Sequence, residues 1–290
     1  MKIQETNWIG KKFNYLTIVE KPFSYYDGKR KRRKVKCLCE CGNIKETRLE
    51  YIKKGTTKSC GCFSRKLTAE RSQKYTANYN FFDNINNPKN AYCLGLWCAD
   101  GCVHDKNHLI SIEMIDLDII EKVKKCLGYT GLIEIRNLSK GKTTYYLRIT
   151  SLKLHQNLIK WGCLPHKSYC LEFPKVGDAE ARVLPHHLMD HWIRGIFDGD
   201  GCLFKCKNGC WGVTIAGTKN ICEGLKNYLG YGNIYLNCTN PKNNHETWVW
   251  QTNCKSNVKI FLNYIYKDAT IYLERKFQKY QEYLKSLINE

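Results

Sequence analysis

Apolar and polar positions follow the same order of patterns twice along residues 79–290. Two apolar runs of helix length, 92–101 and 191–201, each end at Asp-Gly, a common helix stop signal. Each run is followed by two stretches of strand-like alternation, one stretch of helical spacing, two further strands and another helix. The pattern predicts two αββαββα half-domains, 79–187 and 188–290, related by pseudo-twofold symmetry.

The expected fold class is α+β, with four antiparallel strands per half joining into a saddle-shaped sheet. The predicted strands are 102–105, 108–114, 131–136, 143–150, 202–207, 211–216, 232–237 and 246–252. The predicted helices beyond the two apolar runs are 116–127, 152–161, 220–229, 256–265 and a final amphipathic helix, 271–287. A curved antiparallel sheet fits along the major groove of DNA, where base edges differ in donors and acceptors.

The two apolar runs share a face of small residues, which decides how the predicted helices pack. Small residues recur four positions apart in each run, at Gly95 and Ala99 and at Gly195 and Gly199. Two helix backbones approach closely at such a face because no long side chain separates the axes. Parallel packing would bring Asp100 and Asp200 together, and two adjacent carboxylates repel unless a positive charge lies between them. The spacing therefore indicates a divalent-metal site.

The charge of the chain favours a nucleic-acid partner. The net charge is +20, and residues 1–75 hold 20 Lys+Arg against 7 Asp+Glu, a net of +13. Basic proteins bind nucleic acid through the release of condensed counterions. We find no apolar run of membrane-spanning length and no signal peptide. We therefore expect a soluble protein without a membrane partner, in the cytoplasm of a bacterial or phage-infected cell or in an organelle.

Residues 1–66 are predicted to form a small zinc module with a structural ion. Its basic run, 28–36, is expected to be a hairpin or loop and leads directly into a group of cysteines. The candidate ligands are Cys37, Cys39, Cys41, Cys60 and Cys62. Four thiolates complete a tetrahedral zinc site, so one of the five is surplus. The favoured set leaves out Cys37, which is either buried nearby or replaces one ligand. A basic linker, 67–78, follows the module.

The segments 93–101 and 193–201 resemble the motif of the LAGLIDADG homing endonucleases, and the resemblance extends over about residues 79–290. In that family the motif helices form the interface between two half-domains. The resemblance implies that Asp100 and Asp200 are catalytic and hold Mg²⁺. The earlier motif acid is Cys98 in the first copy and Asp198 in the second, and the resemblance implies a structural role for that position.

The resemblance also implies a basic residue near each carboxylate. Lys167 and Lys267 follow the closing helix of each half and lie 100 positions apart. We expect both to be catalytic, with two ordinary surface lysines as the alternative. Residues 8–66 resemble the cysteine fingers appended to phage-type homing endonucleases, which implies an additional DNA-binding module.

The leading hypothesis is a monomeric, site-specific DNA endonuclease that cleaves double-stranded DNA at a long asymmetric target. The resemblance implies cleavage across the minor groove with 3′ overhangs. The sequence starts with Met and lacks the terminal His-Asn of a protein-splicing junction, so we expect a free-standing or intron-encoded protein rather than an intein. The alternatives are an RNA maturase that binds intron RNA and a DNA-binding regulator without cleavage. The expected DNA contacts are Arg32, Arg33, Arg136, Lys140, Lys142, Arg148, Lys205, Lys207, Asn237, Lys242, Asn244 and His245.

Overall fold

The chain folds into two compact units, Met1–Tyr75 and Thr76–Glu290. A computed structural model describes residues 7–72, 75–138, 141–177, 183–207, 209–241 and 244–288. Within these ranges every helix is too short or too polar to span a lipid bilayer. The helix Cys62–Ser72 crosses residue 66 and continues into the predicted linker.

The N-terminal unit is a five-stranded antiparallel sheet with two helices. Its elements are β1 Lys12–Phe13, β2 Leu16–Ile18, β3 Phe23–Tyr26, β4 Lys31–Cys39, β5 Ile44–Arg48, α1 Leu49–Lys53 and α2 Cys62–Ser72. Strand β4 pairs with β2, β3 and β5. Val35 and Cys37 alternate inward into a small core, whereas the lysines between and beside them are half-exposed. The predicted basic hairpin is therefore confirmed as β3–β4.

The first half of the larger unit begins with a strongly capped helix. The Asn87 side chain accepts hydrogen bonds from the Lys89 and Asn90 amides, and Pro88 occupies the first turn. Both features favour helix initiation because they satisfy or remove unpaired amide groups. The elements are α3 Pro88–Ala99, β6 Gly101–Val103, β7 Leu109–Met114, α4 Leu117–Cys126, β8 Glu134–Asn137, β9 Thr143–Thr150 and α5 Leu152–Lys160.

The second half repeats this order and adds one helix. Its elements are α6 Met189–Asp200, β10 Gly201–Lys205, β11 Trp211–Gly217, α7 Lys219–Leu229, β12 Asn233–Asn240, β13 His245–Thr252, α8 Lys255–Tyr266 and α9 Glu274–Ile288. The strands of the halves form separate four-stranded antiparallel sheets, ordered β6-β7-β9-β8 and β10-β11-β13-β12. The identical strand order confirms the internal repeat and the α+β fold class.

The backbones of α3 and α6 touch at two glycines. A Cβ atom added to Gly95 would overlap the Trp192 carbonyl oxygen, and one added to Gly195 would overlap the Tyr92 carbonyl oxygen. Both glycines are buried in the common core of the two halves. The small-residue face predicted from the sequence is therefore the interface between the halves.

Replacing Gly195 with alanine should destabilise the larger unit. The added methyl group meets backbone atoms, which cannot move away as a flexible side chain can, so we expect a loss of about 3 kcal/mol in the free energy of unfolding. Gly177→Ala is the matched control, because its Cβ would meet only the tip of Val183. Denaturant unfolding followed by tryptophan fluorescence measures both changes. Equal stability of the two variants would contradict the close packing of α3 and α6.

Candidate active site

Asp100 and Asp200 lie at the same end of the packed helix pair. Asp100 is the C-terminal cap of α3, and Asp200 is the last residue of α6. Gly199 makes room for the first carboxylate, since a Cβ at that position would lie 3.0 Å from Asp100 Oδ2. Both aspartates are exposed on one side. The structure thus brings the two predicted carboxylates together at an accessible position.

The surroundings raise the pKa of both carboxyl groups. Partial burial is the larger cause for Asp200, the negative charge of Asp100 adds to it, and the pKa reaches about 6. Burial also raises the pKa of Asp100, against the lowering effect of Lys276, Lys167 and Arg275. The two carboxylates therefore destabilise each other when both are ionised, and a divalent cation between them would relieve that repulsion.

Two lysines lie beside the carboxylates and bond the ends of the motif helices. Lys167 Nζ donates to the Ala99 carbonyl oxygen. Lys276 Nζ donates to the carbonyl oxygens of Phe197 at 2.5 Å and Gly199 at 3.2 Å. Such bonds satisfy carbonyl groups that a helix leaves unpaired at its C-terminus. Burial lowers the pKa of Lys276 to about 8, although the charge of Asp198 opposes the shift.

The structure places the two predicted lysines in different surroundings. Lys167 lies at the site, but Lys267 is exposed at the end of α8. Among the described residues, the charges that act on Asp200 are those of Asp100, Lys167 and Lys276. Lys276 comes from α9, which has no counterpart in the first half, so the repeat could not indicate it. The sequence did hold one indication that Lys276 is buried. It lies four and seven residues before Tyr280 and Tyr283, so the three share the buried face of α9.

Asp198 has a structural role, as the sequence resemblance implied. Its fully buried carboxylate accepts hydrogen bonds from Tyr92 Oη at 2.7 Å, Tyr266 Oη at 2.7 Å and the Leu273 amide at 2.8 Å. These donors come from α3, from α8 and from the segment before α9. Asp198 therefore joins the first half to two parts of the second half directly behind the carboxylate pair.

The equivalent position in the first half makes a different contact. Cys98 Sγ lies 3.1 Å from Cys163 Sγ, and both thiols are buried. Cys163 follows α5 and precedes Lys167 by four positions. The thiol contact therefore packs the segment that carries Lys167 against α3.

Two predicted DNA contacts of the first half, Arg136 and Arg148, lie on the side of its sheet that the helices leave uncovered, here called the open face. Arg148 pairs in register with Ser111, and Arg136 with Thr144, whereas the neighbouring Leu147 is buried against the helices. Lys142 is exposed in the turn before β9. Lys140 lies outside the described residues. The open face of the first sheet therefore carries two of the expected arginines.

The predicted contacts of the second half are placed less uniformly. Lys205 lies on the helix-covered side of its sheet, because it pairs in register with Trp211, whose indole donates to Ser286 of α9 at 3.0 Å. The sequence alone could not assign this side because one residue of register reverses the face of a strand. Lys207 and Asn244 are in turns, Asn237 lies at a β-bulge, and Lys242 lies outside the described residues.

His245 contacts the segment that carries Lys167. Its Nε2 lies 2.7 Å from the Ser168 carbonyl oxygen, and its ring packs edge-on against Tyr169 at 4.5 Å. A contact to DNA at this position would therefore be adjacent to the carboxylate pair.

In the N-terminal unit, four of the five candidate cysteines converge. The Sγ atoms of Cys39, Cys41, Cys60 and Cys62 all lie within 4.8 Å of one another. The separations are 3.6 Å for Cys39–Cys62 and 3.3 Å for Cys41–Cys60. Sulfur atoms around a tetrahedral zinc ion with Zn–S bonds of about 2.3 Å are separated by about 3.8 Å. The donor set and its spacing therefore fit zinc.

Cys37 is separate from this group. It is fully buried in the small core, and its thiol is not part of the converging group of four. The favoured set of four is therefore the set that the structure brings together. Of the predicted arginines in this unit, Arg33 is exposed, whereas Arg32 is held by Asp27 at 2.9 Å and Glu50 at 3.7 Å.

A zinc measurement would test the cysteine group. We expect the purified chain to contain one zinc ion, and Cys60→Ala to lose it and unfold the N-terminal unit, since the metal closes a small core. Cys37→Ala should retain the zinc because that thiol is not in the group. Elemental analysis with thermal unfolding gives both readouts. Zinc loss in Cys37→Ala, or no zinc in the native chain, would contradict the assignment.

A known protein family matches one segment of the chain. Residues 87–160 match the family described as LAGLIDADG-like domain, a segment that runs through α3 to α5 and contains Asp100. None of the curated proteins matches the chain in sequence.

Several solved structures are similar to the chain at low identity. The meganuclease I-SmaMI bound to uncleavable DNA has a TM-score of 0.44 and 14% identity, over 69% of this chain and 89% of that one. The LAGLIDADG homing endonuclease I-LtrWI bound to target DNA has a TM-score of 0.47 and 11% identity, over 70% and 91%. I-GzeII in complex with its DNA target has a TM-score of 0.43 and 13% identity, over 69% and 89%.

Proposed function

We propose that the chain is a site-specific endonuclease that makes a metal-dependent, staggered double-strand break in DNA at a long asymmetric target. The observation that carries the proposal is the convergence of Asp100 and Asp200 at the accessible end of one helix pair, with two lysines beside them. The match of residues 87–160 to the LAGLIDADG-like domain supports the same class of protein.

The carboxylate pair fits a magnesium site. Mg²⁺ prefers oxygen ligands and retains several waters, which an exposed pair of carboxylates allows. The pKa of Asp200 is raised first by its partial burial and then by the nearby charge of Asp100, and a bound cation would offset both effects. Bound there, the ion would supply an activated water and stabilise the charge that develops on the phosphate. Asp100 and Asp200 would hold it, one from each half-domain.

The lysines supply positive charge that the chain holds in place. Lys276 is buried and fixed by two carbonyl oxygens, and its pKa of about 8 leaves it able to hold or release a proton near neutral pH. Lys167 is fixed to α3 by one bond. Preorganised charges of this kind stabilise a transition state more than mobile surface charges do, because no reorganisation is needed.

The N-terminal unit is proposed to bind zinc and to add phosphate contacts. Arg33 is its best-placed predicted arginine, because Arg32 already has two carboxylate partners. Both catalytic carboxylates come from one chain, which supports action as a monomer. An endonuclease is favoured over a maturase or a non-cleaving regulator because neither alternative needs two carboxylates at one accessible point.

Cleavage of a randomised duplex library with Mg²⁺ tests the proposal. The native chain should produce breaks at a restricted set of sequences, and Asp100→Asn with Asp200→Asn should produce none while still binding DNA. Asp105→Asn is the control, since Asp105 is an exposed aspartate paired with His166. Equal cleavage by the native chain and the double variant would overturn the proposed active site.

Lys276 should matter to cleavage and Lys267 should not. We expect Lys276→Met to reduce the single-turnover cleavage rate by roughly 100-fold, because a fixed charge beside the phosphate is lost. DNA affinity should change only slightly, since this lysine is one charge in a strongly basic chain. Lys267→Met is the matched control. A slow Lys267→Met variant and an unaffected Lys276→Met variant would restore the pairing predicted from the sequence.

Metal binding should depend on pH near 6. Asp200 has a raised pKa of about 6, so below that pH a proton occupies the carboxyl group and competes with the metal. The affinity for Mn²⁺ should fall about tenfold for each pH unit below 6 and level off above 7. Calorimetric titration measures this. Asp200→Asn should bind weakly with a shallower pH dependence, and an unchanged pH dependence would contradict the role of Asp200.

A further inference from the structure

The open face of the first sheet carries an ordered group of two arginines and one tyrosine. The guanidinium carbons of Arg136 and Arg148 lie 4.3 Å and 5.5 Å from the centre of the Tyr146 ring. Each arginine also has a carboxylate neighbour, Glu113 at 3.5 Å from Arg136 and Glu134 at 3.8 Å from Arg148. Both arginines remain about half-exposed, so their terminal nitrogens are available to a ligand.

Hydrogen bonds beneath the arginines hold this group in place. Tyr146 Oη donates to Ser111 Oγ at 3.2 Å, and Ser111 Oγ lies 3.0 Å from His104 Nε2. Thr144 Oγ1 donates to Glu113 at 2.6 Å. Ser111 and Tyr146 are almost completely covered. The side chains that contact the arginines are therefore held in place by hydrogen bonds. This order lowers the entropic cost of a bidentate contact between each arginine and a ligand.

The open face of the second sheet has a different chemistry. Among the described residues, strands β10–β13 contain a single Lys or Arg, Lys205, and it lies on the helix-covered side. The register places amide, hydroxyl and apolar side chains on the open face instead. The main ones are Phe204, Thr214, Ala216, Asn233, Tyr235 and Gln251.

Two contacts orient this second set. Tyr235 Oη donates to Gln251 Oε1 at 2.8 Å. This bond orients the Gln251 amide, with its NH₂ group directed away from the Tyr235 hydroxyl. The Phe204 ring lies over Gly212, where any Cβ would clash with it. The second open face therefore presents a fixed amide and an aromatic edge, without a cationic side chain from its strands.

We propose that the two halves of the DNA target differ in base composition, an inference that rests on the proposed function. The half bound by the first sheet contains guanines at two positions, because Arg136 and Arg148 match the paired O6 and N7 acceptors of guanine. The half bound by the second sheet is rich in A·T pairs. There Gln251 and Asn233 match adenine, and Phe204 and Ala216 match the thymine methyl group.

Selection of bound DNA tests this inference separately from cleavage. The full-length chain, with zinc and without Mg²⁺, is incubated with a duplex library randomised over the whole contact length, and the bound fraction is sequenced. We expect an enriched site with two G·C pairs in one half and mainly A·T pairs in the other.

Variants assign the halves to the sheets. Arg136→Gln and Arg148→Gln should each reduce the preference for guanine at one position by about tenfold or more. Tyr146→Leu should relax both positions together, because that ring supports both arginines. Gln251→Leu should relax one position in the other half. Lys205→Gln is the matched control and should change no base preference, since its side chain is on the helix-covered side.

The outcomes separate the inference from the proposed function. An enriched site with balanced halves, or guanine preferences that survive both arginine substitutions, would overturn the inference and leave a sequence-specific DNA-binding protein. Failure to enrich any duplex would overturn the proposed function and the inference with it. Because Arg136 and Arg148 are exposed, loss of folding does not complicate their substitution.

Discussion

Contact between the backbones of α3 and α6 fixes how the two halves of the larger unit meet. Gly95 and Gly195 each face a carbonyl oxygen of the opposite helix, so no larger residue fits at either position. This close approach brings the ends of both helices to one place. Asp100 and Asp200 then lie near enough for the charge of one to raise the pKa of the other. The repulsion that makes the pair suited to a divalent cation is a direct result of helix packing.

The two halves share a framework but support the carboxylates differently. In the second half a buried carboxylate, Asp198, collects three hydrogen bonds, whereas the equivalent Cys98 packs against another thiol. The lysine on the first side comes from the segment after α5, and the lysine on the second side comes from the additional helix α9. A single chain can differ in this way because each half has its own sequence, and the open faces of the two sheets differ for the same reason.

Much of the fold and part of the site could be predicted from the sequence. Periodicity and glycine stop signals located the strands and helices of both halves, and the small-residue spacing indicated the helix contact that joins Asp100 to Asp200. The repeat indicated Lys267, whereas the structure places Lys276, on the unrepeated helix α9, beside the carboxylates. The strand face of Lys205 was missed because it depends on register, which the pairing with Trp211 decides. Contacts between residues far apart in the chain cannot be predicted from the local pattern of apolar and polar residues.

The most direct test of the account is the position of a divalent ion in a crystal of the full chain with its DNA target. Anomalous scattering from Mn²⁺ locates the ion without reference to the protein density. The account predicts Mn²⁺ at about 2.2 Å from carboxylate oxygens of both Asp100 and Asp200, next to a phosphate of the DNA. Mn²⁺ held by other residues, or a phosphate placed away from this carboxylate pair, would contradict it.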